Sequence, residues 1–158
     1  MVGRHYHPSL HERFNVIHGE VTFTLNDEKH VAQLGQTVDI PQGTLHSFWN
    51  SGSTDALVRM DVQPAGRFAM LIKNGFSLAQ DGKTDKTGKP GMLQIALMAR
   101  EFDDVVRYDM GPRLVQQILF LVLTPIAKLR GLKGSYSEYL ARPASDSVPL
   151  DTLDRTGL

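Results

Sequence analysis

The strongest constraint on the fold is a period-two alternation of apolar residues in the part of the chain before Pro64. Phe14 and Val16 alternate with polar neighbours, and so do Val21 and Phe23. This spacing, in segments rich in β-branched and aromatic residues, is typical of half-buried strands. The predicted strands cover residues 13–18, 21–25, 29–34, 37–40, 44–50 and 55–62, with turn residues between them. Short strands with regular turns favour a β-sandwich or barrel.

After Pro64 the composition shifts to helix formers. Phe68, Leu71 and Ile72 share one face of a predicted helix, and Phe76 is a candidate for the same face. A solvated loop is predicted at 81–91, a helix at 92–108, and a helix that begins at Gly111-Pro112 and that Pro125 kinks or ends. The predicted organisation is therefore a β-barrel at 1–64, a helical extension at 65–140 and a flexible tail at 141–158.

Composition excludes several functional classes. The chain has no cysteine, so it has no disulfide framework, thiolate metal site or cysteine nucleophile. Its formal net charge is zero, and nothing global attracts nucleic acid. The first residues lack the apolar core of a signal peptide. The apolar run at 118–123 is far shorter than the roughly 18–20 residues of a membrane span. These features predict a cytoplasmic protein without a nucleic-acid partner.

Histidine placement indicates a metal site. All six histidines lie in the first 46 residues. His5 and His7 are two residues apart, so on a strand their imidazoles point to the same face. Together with Glu12 and His46 they form a ligand set suited to one divalent transition metal, Fe, Mn, Ni, Zn or Cu. His11 is the rival of Glu12; because adjacent strand residues point to opposite faces, only one of the two reaches inward, and Glu12 is favoured.

Two motifs carry a resemblance to a known family. His5-x-His7-x4-Glu12-x6-Gly19 resembles the first motif of the cupin superfamily, and Gly35-x5-Pro41-x-Gly43-x2-His46-x3-Asn50 resembles the second. The resemblance covers about residues 3–64. It implies a mainly β fold, an antiparallel jelly-roll-like double-stranded β-helix, followed here by a C-terminal helical extension. It also implies that His5, His7, Glu12 and His46 bind the metal.

The first motif begins only four residues into the chain, so the N-terminal barrel strand is expected to be missing or very short. A bare sheet edge is a liability, and we expect a second subunit or the C-terminal segment to cover it. A homodimer is the expected assembly. The apolar segment 112–133 is expected to pack on the barrel or on another subunit rather than on a membrane surface.

The function that the resemblance implies is broad. It is a metal-binding cupin with an unknown small-molecule ligand, acting as a metal-dependent enzyme of dioxygenase, isomerase or lyase type on an oxygen-rich molecule. The alternative is a non-catalytic small-ligand-binding or sensing module, and a scaffolding role for the apolar helices is a third hypothesis. The sequence leaves open whether the protein is an enzyme, because one barrel hosts many chemistries.

Overall fold

The computed structural model describes residues 2–142, which form eight strands and four helices. The predicted flexible tail therefore lies, from residue 143 onward, outside the described residues. The strands are β1 (Val2–Tyr6), β2 (His11–His18), β3 (Glu20–Leu25), β4 (Glu28–Gln33), β5 (Thr37–Ile40), β6 (His46–Trp49), β7 (Leu57–Gln63) and β8 (Arg107–Tyr108). The helices are α1 (Phe68–Gln80), α2 (Met92–Glu101), α3 (Arg113–Leu129) and α4 (Ser137–Leu140).

Two antiparallel sheets enclose the first core. One has the strand order β4-β3-β6-β1-β8 and the other β5-β2-β7. The alternating apolar residues of β2 and β3 point between the sheets, where the rings of Phe14 and Phe23 lie 5.2 Å apart between centroids. Phe48 of β6 packs on both rings. The predicted fold class, an antiparallel β-barrel with C-terminal helices, is confirmed.

Part of the free edge of β1 is paired within the chain, at its last two residues. The short strand β8 lies antiparallel to β1, with His5 opposite Tyr108 and Tyr6 opposite Arg107. The helix predicted to run to Tyr108 ends instead at Glu101. Val105 and Val106 are buried beyond that end, and the backbone then forms the sheet hydrogen bonds that an edge strand needs. The segment that follows the barrel thus supplies one of its strands.

A second core joins the helices to the end of the barrel. Its buried members come from the β1–β2 connection, α1, α2, the α2–β8 connection and the chain around α4: Leu10, Phe68, Leu71, Leu78, Met98, Phe102, Val105, Val106, Tyr136 and Tyr139. Met60 and Val62 of β7 pack against this cluster. Phe76, the further candidate for the packed face of α1, is instead 66% exposed.

Helix α3 continues past Pro125 to Leu129, so of the two predicted effects of this proline, a kink or an end of the helix, the end does not occur. A proline removes one backbone donor, but burial of Phe120 and Ala127 holds the helix on either side of it. The Thr124 hydroxyl also donates a 2.6 Å hydrogen bond to the Phe120 carbonyl. Within residues 2–142, no helix has the length and apolar character required to span a membrane.

Candidate metal centre

Four side chains from three strands converge inside the barrel. His5 lies on β1, His7 directly follows it, Glu12 lies on β2 and His46 begins β6. Each offers one nitrogen or oxygen atom, and these atoms all lie within 4.8 Å of one another. The exposed fractions of the four residues are between 1% and 5%. This is a compact cluster of donor atoms removed from solvent.

The local fold explains why residues distant in the sequence meet here. His5 and His46 are direct partners in the antiparallel ladder between β1 and β6. The turn before β6 is tied to His7, whose carbonyl accepts a 2.8 Å hydrogen bond from the Gly43 amide. Gly43 has a φ of +77°, a conformation that favours glycine. The glycine of the second motif therefore helps bring His7 and His46 together.

Each imidazole is oriented by a backbone carbonyl. The Nδ1 atoms of His5 and His46 lie 2.7 Å from the Gly3 oxygen and 2.9 Å from the Thr44 oxygen. The Nδ1 atom of His7 lies 2.6 Å from the Val105 oxygen. A carbonyl can only accept, so each Nδ1 carries the hydrogen and, in a neutral ring, the lone pair is on Nε2. This is the arrangement by which proteins orient histidine ligands of metals.

The inward-facing atoms lack ordinary partners. The Nε2 atoms of His7 and His46 and the Oε2 atom of Glu12 are fully buried without a hydrogen bond from the described residues. His46 Nε2 lies only 3.0 Å from Glu12 Oε2, but a hydrogen on that nitrogen would not point at the oxygen. Unsatisfied buried polar atoms are costly. Their convergence fits a cation bound between them, and the donors, three imidazoles and one carboxylate, suit a divalent transition metal.

Comparison with known proteins identifies the first part of the chain. The family model described as Cupin domain matches residues 1–62, which contain all four residues of the cluster. Residues 1–62 form a cupin domain. No curated protein matches the chain. The cupin domain therefore carries the whole candidate metal centre except its contacts with the helical segment.

Solved structures resemble the chain over part of its length. KdgF from Halomonas sp. is 24% identical, with 39% of this chain and 54% of that chain covered and a TM-score of 0.35. A double-stranded β-helix protein from Klebsiella pneumoniae gives 24% identity, 39% and 50% coverage and a TM-score of 0.35. Recombinant oxalate oxidase in complex with glycolate gives 19% identity, 78% and 57% coverage and a TM-score of 0.34. The chain spans about half the length of these proteins.

Electrostatics in the cupin domain favour neutral His5 and ionised Glu12. Burial, together with repulsion from His46, lowers the pKa of His5 to about 4. Burial alone would raise the pKa of Glu12, but the contacts with His46 and His7 outweigh it and lower that pKa to about 2. A neutral imidazole and a carboxylate are the protonation states that bind a metal.

The other histidines of the cupin domain lie outside the cluster. The side chain of His11 points outward and its Nε2 lies 3.2 Å from an Asp39 oxygen, so Glu12, not His11, faces the other three residues. His18 and His30 are exposed. Phe48, two residues after His46 on β6, faces the barrel core, whereas Trp49 is half-buried beneath Lys29.

Two contacts with the cluster had no signal in the sequence. One is the Val105 carbonyl that orients His7, 98 residues further along the chain. The other is the ring of Phe68, at the start of α1, which packs edge-on against His7 with centroids 5.6 Å apart. A backbone carbonyl has no residue-type signature, and Phe68 reads as an ordinary core residue. Both come from the helical segment, which therefore closes one side of the cluster.

Proposed function

We propose that His5, His7, Glu12 and His46 are the ligands of one divalent transition metal ion, of which Fe, Mn, Ni, Zn and Cu all suit the donors. The observation that carries this proposal is the orientation of the rings, with every Nδ1 held by a carbonyl. We also propose that residues 1–64 act as the barrel that holds the ion, and that residues 65–140 are an extension packed on it.

The proposed activity is that of a metal-dependent enzyme, of dioxygenase, isomerase or lyase type, acting on a small oxygen-rich molecule. A bound metal supplies Lewis-acid polarisation of a carbonyl or, as iron, activation of dioxygen. The protein's part is to orient the three imidazoles and to keep Glu12 ionised at a buried position. Four protein ligands leave coordination positions for a substrate on a six-coordinate ion.

A second candidate function is supported by the burial of the cluster. Catalytic metal sites keep an open position, whereas closed sites are structural. All four proposed ligands are at most 5% exposed, and Phe68 packs on His7. A non-catalytic module that senses a small ligand is therefore the alternative, with the contact from His7 to Val105 joining the centre to the helical segment.

Metal content of the purified protein tests the ligand assignment. His46→Ala removes one donor at the centre, whereas His18→Ala removes an exposed histidine and is the matched control. We expect about one metal ion per chain in the wild type and in the control, and at least a tenfold loss of affinity in His46→Ala. Stoichiometric metal in His46→Ala at wild-type affinity would refute the assignment.

Access to the ion separates the two functions. The Co²⁺-loaded protein is titrated with azide and acetate, and the visible spectrum reports whether either anion binds the ion. We expect the spectrum to change if the centre is catalytic, and the same preparation, reloaded with each metal, is then screened against diketones, phenols and sugars. An unchanged spectrum, or a ligand that binds tightly without conversion, favours the sensing module.

The proposed partners are a small molecule and a second copy of the chain. The expectation of a homodimer came from a bare edge at the start of the barrel. β8 of the same chain pairs with that edge at His5 and Tyr6, two of the five residues of β1. The rest of this edge stays available for the proposed homodimer.

A further inference from the structure

The outward side of α3 is an exposed apolar surface. Eight large apolar side chains of this helix are exposed by 40% to 89%: Leu114, Val115, Ile118, Leu119, Leu121, Val122, Ile126 and Leu129. At 3.6 residues per turn they occupy one continuous arc of roughly 160°. We refer to these eight residues as the outer face of α3. A contiguous exposed apolar patch of this extent marks an interaction site on a soluble protein.

The opposite side of α3 already has a partner. Phe120 and Ala127 are buried and lie on the side of the helix that faces α2, a side that also carries Gln116, Gln117 and Thr124. A surface helix normally packs its apolar side on the protein, whereas the apolar arc of α3 faces away from its own chain. Only this side of α3 packs on its own chain within residues 2–142. We therefore expect another molecule to cover the outer face.

The charges around the outer face are all positive. From Gly111 to Ser137 the chain has no acidic residue, while Arg113, Lys128, Arg130 and Lys133 are all present and exposed. On the helix, Lys128 and Arg130 border the outer face on its two sides. Among residues 2–142, Arg113 is paired with Asp103, and no carboxylate lies within ion-pair distance of the three other cations. A molecule that covers the outer face should therefore carry negative charge where it meets the cations at the borders of this face.

A groove extends this surface at the start of α3. It has a volume of about 630 Å³ and lies between α3, α2 and the β1–β8 edge. Ile118 and Leu121 of the outer face line one part of it, and Arg100, Arg107 and Arg113 line another, together with Asp103 and Asp109. Asp103 pairs with Arg107 and Arg113, so among residues 2–142 only Arg100 of these three arginines has no ion pair. A guanidinium group binds phosphate groups well.

Contrary to the expectation from the sequence, we propose that the outer face of α3 docks on an anionic phospholipid surface, with α3 parallel to the membrane plane. An apolar arc bordered by Lys and Arg is the pattern of helices that lie in the membrane interface. A second copy of the chain fits this surface less well. Two outer faces in contact would offer no carboxylate of α3 to the Lys128 and Arg130 that border each of them.

Vesicle flotation of the full chain tests this proposal. The vesicles are phosphatidylcholine alone, or phosphatidylcholine with about a third phosphatidylglycerol at low salt. Val122→Glu and Leu129→Glu place a charge at the centre of the outer face. Leu34→Glu and Phe76→Glu are the matched controls, because these residues are equally apolar and 67% and 66% exposed but lie outside α3. Lys128→Gln and Arg130→Gln test the cationic rim.

The expected result is flotation of the wild type and of both controls with the anionic vesicles only. We expect at least a tenfold loss in Val122→Glu and Leu129→Glu, and about a fivefold loss for each cation removed. Far-ultraviolet circular dichroism and metal content verify that each variant is folded. Absence of flotation, or equal flotation on neutral vesicles, would overturn the proposal. A stable dimer detected by light scattering would also overturn the proposal, if the glutamate substitutions dissociate it and the wild type binds neither kind of vesicle.

Discussion

Acid should destabilise the metal-free protein through His5. The pKa of this imidazole falls from 6.5 to about 4 in the fold, first because burial penalises the charged ring and then because His46 repels it. The unfolded chain therefore binds a proton on this residue at a higher pH than the folded chain does. The stabilising contribution is complete above pH 6.5 and is lost as the pH falls towards 4.

The size of this effect follows from the two pKa values. Between about pH 7.5 and about pH 5 the contribution of His5 to the free energy of unfolding falls by about 2 kcal/mol. Glu12 acts in the same direction at lower pH. Its pKa is lowered from 4.5 to about 2, so its contribution is complete above pH 4.5 and is lost towards pH 2. At about pH 5 the loss is therefore mainly that of His5.

Urea unfolding of chelator-treated protein at both pH values measures this difference. His5→Gln removes the titrating group but keeps a polar side chain, and we expect its stability to change by about 2 kcal/mol less than that of the wild type between the two pH values. His18→Gln replaces an exposed histidine and should keep the full pH dependence. Equal pH dependence in the wild type and His5→Gln would refute the reasoning.

Three further predictions concern the barrel. Gly19→Ala should destabilise the protein by at least ~2 kcal/mol in urea unfolding, because φ is +72° and the new Cβ would lie 2.6 Å from the Asp55 carbonyl oxygen. Gly35→Ala is the control: φ is +81° but no atom lies near the new Cβ, so the substitution should cost only ~1 kcal/mol. Equal costs would contradict this. Phe14→Ala empties a site that is 1% exposed between the sheets and should cost ~3–5 kcal/mol, and a cost under ~1 kcal/mol would mean that the core is packed differently. A suitable metal at a hundred times its dissociation constant should add about 2.7 kcal/mol to the stability of the wild type and, after a tenfold or greater loss of affinity, at least ~1.3 kcal/mol less to His46→Ala; an equal gain in both would place the ion elsewhere.

The barrel could be predicted from the sequence because its signals are local. Alternation around Phe14 and Phe23 defines strands, and Gly43 marks the turn that leads to His46. The Asn50 side chain stabilises its own turn: it donates a hydrogen bond to the Thr54 carbonyl and accepts one from the Gly52 amide. Each of these features depends on neighbours in the sequence, so it can be recognised without the three-dimensional structure.

The remaining features depend on contacts between distant residues. Nothing in Arg107-Tyr108 indicates a strand, because an edge strand of two residues is defined by the β1 edge that it meets. The helix through Pro125 persists because tertiary packing compensates for the missing donor. The Val105 carbonyl reaches His7 only once the helical segment has folded onto the barrel. Propensity and periodicity contain no information on such contacts.

X-ray absorption spectroscopy of the metal-loaded protein is the most direct test of the proposed centre. The account predicts a first shell made only of nitrogen and oxygen donors at about 2.0–2.2 Å, with the multiple-scattering signature of three imidazoles. In His46→Ala the imidazole contribution should fall to two. A wild-type spectrum with one imidazole or none, or a spectrum that His46→Ala leaves unchanged, would contradict it.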